Sequence, residues 1–349
     1  MRIQTDTIEE LYSSMTLTRE LEHVIAQLWS DGFIPGEMHT SCGEEAIAAG
    51  VTATLKHGDA VASDHRTTAV AVMRGLDPYE IVAECAGLPS GLCGGRGGHM
   101  HLFSRNHAFL SSGIVGSSGP AAAGFAIAAK YSGTSSLAVA FFGDGAMNEG
   151  TLMESLNLAR AWKLPVLFVC KDDDWAITTN SSDVSGGTIV ERALAFGLET
   201  RTVDGSDAGA VFDAADCLVT HVRASAGPAF LHATCTHLDG HYLGDPLLRA
   251  ARNLLVDGAG AVAPAVRGAL RPGESARESR KAVRSLFDLT LKSRRTHAKA
   301  ADPIAKIRNA YPEMRPVFDL NDRQAREKAD NVRQRVVAAI EAANRGTDQ

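Results

Sequence analysis

Gly143-Asp144-Gly145 closes one short apolar run, and Lys171-Asp172-Asp173-Asp174-Trp175 closes the next. An aspartate held between two glycines at the end of a strand suits a hard cation such as Mg²⁺ carrying a diphosphate. Carboxylate oxygen is a hard ligand, and glycine lets the backbone approach closely. A helix beginning near Thr151 adds N–H donors and a positive dipole end for phosphate. Asp144 and Asp173 lie 29 positions apart, and neighbouring strand ends would bring them onto one cation. Alone, a Gly-Asp-Gly is usually a tight turn and three aspartates a solvated acidic loop. Both together, at successive strand ends, favour metal.

Other phosphate binders fit less well. The sequence has no G-x-x-x-x-G-K-[ST] run, which argues against a P-loop. The segment from Gly113 through Gly116 to Gly119 has GxxGxxG spacing rather than GxGxxG. No acidic residue separates it from Asp144, so the ribose-binding carboxylate of a dinucleotide site is missing. A nucleotide cofactor ranks second.

These residues need an α/β scaffold. Residues 137–142 and 165–170 are continuous apolar runs, the pattern of buried parallel strands, and 151–164 between them is helical in period. Further strands are expected at 199–205 and 228–235, with a helix around 208–224. Helices are also expected over 7–31, stopped by Asp31-Gly32 and Pro35, and over 43–55, 78–86 and the small-residue segment following Gly119. Seven of the fifteen residues in 87–101 are Gly or Pro, so that segment is loop. The expected architecture is one domain over 1–349, with helical extensions at 1–35 and 247–349 and a charged final helix at 320–345.

Composition sets outer limits. The chain is 45% hydrophobic and 22% charged, with a formal charge of −6 from 35 basic and 41 acidic residues. That excludes wholesale disorder and gives no nucleic-acid footprint. No run of about 18 apolar residues exists to span a membrane. The charged, polar start has no apolar signal core. None of the six cysteines forms a C-x-x-C pair, so reduced thiols in the cytoplasm are expected.

The segment 143–178, GDGAMNEGTLMESLNLARAWKLPVLFVCKDDDWAIT, resembles the thiamine-diphosphate motif, in which GDG is followed some 25–30 residues later by Asn. Within that motif's superfamily it resembles the α subunit of the decarboxylating component of 2-oxo-acid dehydrogenase complexes, as in pyruvate, branched-chain and acetoin dehydrogenases. IPGEMHTSCGEEAIAAG, GLCGGRGGHMHL, GIVGSSGPAAAGFAIAAKY and HLDGHYLGDP extend the likeness, in the family's order, over residues 10–246. The resemblance implies an α/β thiamine-diphosphate-binding fold with a mostly parallel sheet flanked by helices.

It also implies roles. Asp144 and Asp173 would ligate Mg²⁺ through their side chains, and Trp175 through its backbone carbonyl. Gly145 and Ala146 would line the diphosphate. His65 and Arg66 fall where the family has Tyr-Arg facing the phosphates, and a guanidinium fork binds phosphate well. Gly113 and Val115 would touch the aminopyrimidine, and His39 and His241 match active-site histidines. Three departures stand out: Asp173 replaces the motif's Asn, Trp175 replaces the usual Tyr, and Tyr242 stands where animal pyruvate enzymes carry a regulatory Ser. The segment between Pro246 and Asp302 is longer than usual for the family.

The function implied is decarboxylation of a 2-oxo acid, or cleavage of acetoin, with transfer of the acyl unit to a lipoyl acceptor. A separate β subunit would supply the glutamate that activates the aminopyrimidine, in an α2β2 assembly that could join a lipoyl acyltransferase core. Alternatives are acyloin formation, non-oxidative acyl transfer, or a non-catalytic partner chain.

Overall fold

The computed structural model describes residues 4–244 except 178 and 225, isolated positions between 277 and 291, and residues 300–347. The expectations for Asp245-Pro246 and for most of 247–299 lie outside the described residues. The sheet contains β1 (Ala60–Ser63), β2 (Phe103–Ser104), β3 (Phe109–Ser111), β4 (Ala138–Gly143), β5 (Val166–Asp172), β8 (Glu199–Asp204) and β9 (Ala229–Thr234). Its order is β2-β3-β1-β4-β5-β9-β8. Every neighbouring pair is parallel except β2–β3. A two-stranded ribbon, β6 (Trp175–Ala176) with β7 (Thr179–Asn180), stands apart.

Among the described residues the helices include α1 (Thr5–Ser30), α2 (Glu45–Thr52), α3 (Thr68–Met73), α4 (Pro78–Cys85), α5 (Ser118–Tyr131), α6 (Gly150–Trp162), α7 (Ser181–Val184), α8 (Ile189–Ala195), α9 (Ala208–Arg223), α10 (Pro303–Ala310) and α11 (Arg315–Thr347). Their starts follow local chemistry. Asp77, Asp207 and Asp302 each accept a backbone N–H of the first turn, and Pro78 and Pro303 occupy first helical positions. Thr188 and Glu191 form a capping box on α8.

The apolar strand runs hide a period of two. On β4, Val139 and Phe141 face the cluster containing Ile47, Val211 and Leu218 of α2 and α9. Ala138, Ala140 and Phe142 face Ala122 and Ala126 of α5 and Leu152 and Leu156 of α6. Alanines on both α5 and the strands let that helix lie close to the sheet. Phe141, Phe142, Phe168 and Phe230 are fully buried, each stabilising by about 1.5–3 kcal/mol.

The terminal helices are not appendages. Leu21, Val24 and Leu28 of α1 pack with Val82 of α4 and Ala329, Val332 and Val336 of α11. Ile8, Leu11 and Met15 pack with Ala46, Ala49 and Phe318. Arg19 pairs with the buried Glu45 of α2 and reaches Asp302 at 3.2 Å, tying both chain ends to the helix that precedes β1. All six cysteines are free. Among the described residues no helix is long and apolar enough to cross a membrane.

Candidate active site

The sheet order makes β1 the turning point: the chain goes from β1 to β3 on one side and to β4 on the other. In open parallel sheets ligands bind outside the carboxyl ends of the strands at such a switch. Five strand ends converge there. Asp64, His65 and Arg66 follow β1; Ser112, Ile114, Val115 and Gly116 follow β3; Asp144, Gly145 and Ala146 follow β4; Asp173 follows β5; and His237 follows β9. With Trp175, Ala176, Ile177, Glu44 and His241 they line one cavity of about 220 Å³. That is below the roughly 300–1,000 Å³ of a complete small-molecule site.

Two glycines make the walls possible. Gly116 sits at φ +80°, and a Cβ there would lie 2.9 Å from the Glu149 Cβ. Gly43, at φ +103°, lets the loop after His39 lie against the loop carrying His237; a Cβ would meet the Thr236 carbonyl oxygen at 1.9 Å. The glycine-rich segment 91–97 wraps the buried Glu84 carboxylate, which accepts the N–H groups of Cys93, Gly95 and Gly97. This holds His99 of the same loop, whose Nε2 lies 3.2 Å from His39 Nδ1.

Asp144 begins a short 3₁₀ turn, Asp144–Asn148, rather than leading directly into the helix that sequence periodicity starts near Thr151. The α-helix itself begins at Gly150, after this turn. Asp144 is buried and accepts the Ser181 hydroxyl. Burial, and then the negative charge of Asp173, raises its carboxyl to about 8. Two buried carboxylates repelling one another beside a cavity form a donor set that a divalent oxygen-ligated cation would relieve. Trp175 follows in β6. It is flanked by Asp174 and Ile177, both at positive φ (64° and 57°), and a β-branched residue there marks strain around this turn.

Asp173 is not part of a solvated acidic loop. Its Oδ2 lies 2.8 Å from His237 Nδ1. His237 Nε2 lies 2.8 Å from Glu44 Oε1, and Glu44 Oε2 accepts from Lys171 at 2.6 Å. Lys171 also donates to Asp64 at 3.0 Å. Burial would raise the Glu44 and Asp64 carboxyls, but Lys171 holds both below the usual range, Asp64 at about 2. Burial likewise opposes ionisation of Asp173, and His237 overcomes it, so its pKa is lowered. Burial and Arg66 would lower His237, yet Asp173 and Glu44 raise it. Of the other two aspartates in the run, Asp172 meets His232 at 2.7 Å, and Asp174 takes the Asn180 amide at 2.8 Å.

A histidine cluster forms the opposite wall. His39 contacts His65 and His241 edge-on, with ring centroids 4.6 and 5.3 Å apart. Burial and then the Arg66 charge lower His39 and His241 to about 3, and burial lowers His65 to about 3 despite Asp64. All three are therefore neutral near pH 7. The His241 Nδ1 accepts the Ile177 N–H at 3.2 Å. His65 Nε2 and Trp175 Nε1 are buried without a hydrogen-bond partner among the described residues; the indole N–H, which can only donate, leaves an unfilled demand for an acceptor.

Most of the residues singled out from sequence line the cavity: His65, Arg66, Val115, Asp144, Gly145, Ala146, Asp173, Trp175 and His241. His39 stands behind His65 and His241. Gly113 is packed against Met100, between two lining residues. Arg66 is buried, with two guanidinium nitrogens donating to the carbonyls of Thr40 and His241. Those two bonds join the loops bearing His39 and His241. Sequence reasoning did not single out Glu44, Asp64, Ser181 or His237, nor Lys171 as a buried partner. A lone lysine ending an apolar strand was the one available signal.

Compared with known protein families, residues 12–254 match the dehydrogenase E1 component. The acetoin:2,6-dichlorophenolindophenol oxidoreductase α subunit of Cupriavidus necator is 36% identical over 245 residues, covering 70% of this chain and 74% of its own. That of Bacillus subtilis is 38% identical over 237 residues, 67% and 71% of the two chains. The pyruvate dehydrogenase E1 component α subunit of Zymomonas mobilis is 37% identical over 251 residues, 71% of each.

Proposed function

The chain belongs to the dehydrogenase E1 component family, and on that premise we propose that it is the α subunit of a thiamine-diphosphate- and Mg²⁺-dependent oxidoreductase. It decarboxylates a 2-oxo acid or cleaves acetoin and passes the acyl unit to a lipoyl acceptor. The observation that carries this reading is the convergence of Asp144 and Asp173 on one cavity from adjacent parallel strands.

The donors suit the cofactor. Asp144, Asp173 and the Trp175 carbonyl would hold the cation, and the backbone at Gly145 and Ala146 the diphosphate. Thiamine diphosphate, when bound, supplies the stabilisation of negative charge that carbon–carbon cleavage requires. The chain's own residues position and screen. Arg66 would offer positive charge to the phosphates, and it locks two loops together. His65, His39 and His241 are neutral near pH 7, so each ring offers one hydrogen-bond donor and one acceptor. His241 lines the cavity, and we assign to it the proton transfer to or from the reacting group.

A β subunit would complete the site. The cavity is small for a whole cofactor, and Ile114, Val115 and Ile177 at its wall are 69%, 51% and 57% exposed. Large apolar side chains beside a ligand cavity mark a surface meant to be covered. That cover would carry the glutamate for the aminopyrimidine, in an α2β2 assembly able to dock a lipoyl acyltransferase. We read residues 1–349 as a single domain. The test is co-purification with the β subunit and a turnover screen over pyruvate, branched-chain 2-oxo acids and acetoin with an artificial oxidant. Turnover should require both chains and thiamine diphosphate. Equal turnover by this chain alone would overturn the two-chain reading.

A further inference from the structure

A carboxylate at position 173 adds negative charge to a site that must also hold a diphosphate, and the charge has to be answered. The answer is a buried chain of alternating sign drawn from four places in the fold. Asp173 at the end of β5 meets His237 beyond β9; His237 meets Glu44 before α2; Glu44 meets Lys171 on β5; and Lys171 meets Asp64 after β1. His237, Glu44 and Lys171 are 7%, 2% and 1% exposed. A carboxylate oxygen lies 2.8 Å from each ring nitrogen, as a hydrogen bond at Nε2 and an ion-pair contact at Nδ1, so the ring sits between two negative charges. Asp173 Oδ2 is thus engaged, while Oδ1 has no hydrogen bond among the described residues.

We propose that His237 is a positioning residue of this site: one nitrogen fixes Asp173, the other passes its charge to the Glu44–Lys171 pair, and the result makes an aspartate compatible with a diphosphate-bearing cation. In this role His237 acts through Asp173 and not as a ligand of the cation itself. Two consequences separate this role from simple packing. The need for His237 should vanish when Asp173 loses its charge. Glu44, one step further along, should show the same dependence more weakly. The proposal rests on the cofactor reading above.

The test is a double-mutant cycle on the assembly with its β subunit. Thiamine-diphosphate affinity at fixed Mg²⁺ is read by calorimetry, and the melting temperature is measured without cofactor. His237→Gln should weaken affinity at least tenfold. In the Asp173→Asn background the same substitution should change it less than threefold. Glu44→Gln should show a smaller coupling of the same sign, which keeps the cycle informative if His237→Gln folds poorly. Equal losses in both backgrounds, with wild-type binding intact, would overturn this proposal alone. No cofactor binding by the wild-type assembly would remove the site reading and this proposal with it.

Discussion

The two ends of the central strands treat buried charge in opposite ways. At the amino ends, Asp59 precedes β1 and is 1% exposed. Its carboxylate takes the Lys56 N–H at 2.7 Å and the Leu137 N–H at 3.0 Å, and it pairs with Arg223, which also reaches the Ser135 carbonyl. One carboxylate meets one guanidinium and two amides, and the account closes. At the carboxyl ends, buried Glu44, Asp144 and Asp173 and half-buried Asp64 face Lys171, Arg66 and one doubly engaged histidine. A closed charge cluster holds a fold together. An open one, set against a cavity, waits for a ligand of opposite sign.

The contrast is broken most severely at Asp144. Asp144→Ala should lower thiamine-diphosphate affinity in Mg²⁺ by a hundredfold or more, as measured by calorimetric titration of the α–β assembly. Unchanged affinity would mean that the open end is open for another reason. At the other end, Asp59→Ala should leave that affinity within about twofold. It should instead cost about 3 kcal/mol of stability, the scale for breaking a buried pair from one side, read by denaturant unfolding. A loss of cofactor affinity with stability unaltered would invert the comparison.

A smaller effect is a pH dependence. His39 and His99 have folded pKa values of about 3 and 4, below the ordinary histidine value of 6.5. Between those values and 6.5 the unfolded chain binds more protons, so stability rises with pH across that window and is lost as pH falls below about 6.5. The cofactor-free melting temperature should therefore drop between pH 7 and 5, and His39→Gln should flatten the drop. An identical pH profile in that variant would detach His39 from the cluster. The smallest effect is expected at Ser181→Ala, which removes the hydroxyl donor to Asp144 and should weaken cofactor affinity about threefold to tenfold, on the scale of an ordinary hydrogen bond.

Much of this arrangement was legible in the sequence because strand ends carry local signals. Continuous apolar runs followed by Gly143-Asp144-Gly145 and by Lys171-Asp172-Asp173 located two adjacent ends, and the structure brings Asp144 and Asp173 to one cavity. The β1 strand was not legible: the four residues Ala60–Ser63 are too short and have one β-branched side chain, Val61, and they form a strand because Ala60, Val61 and Ala62 lie against Ala138, Val139 and Ala140. The 3₁₀ turn after β4 was also missed, since the periodicity marks only the following helix. Nor was the Asp173–His237–Glu44–Lys171 chain legible. Its members come from three separated segments, and no pattern within a segment shows that their charges will meet. The terminal helices read as extensions because an amphipathic stripe does not name its partner; here α1 and α11 supply much of each other's.

The central claim is that the open end of the sheet binds a cation and a diphosphate together. Its most direct test is a titration of the wild-type assembly with thiamine diphosphate across a series of Mg²⁺ concentrations, with an EDTA-treated control. The two should bind interdependently: affinity for thiamine diphosphate rises with Mg²⁺ until the cation saturates and falls at least a hundredfold in EDTA. Equal affinity with and without the divalent cation would contradict the claim.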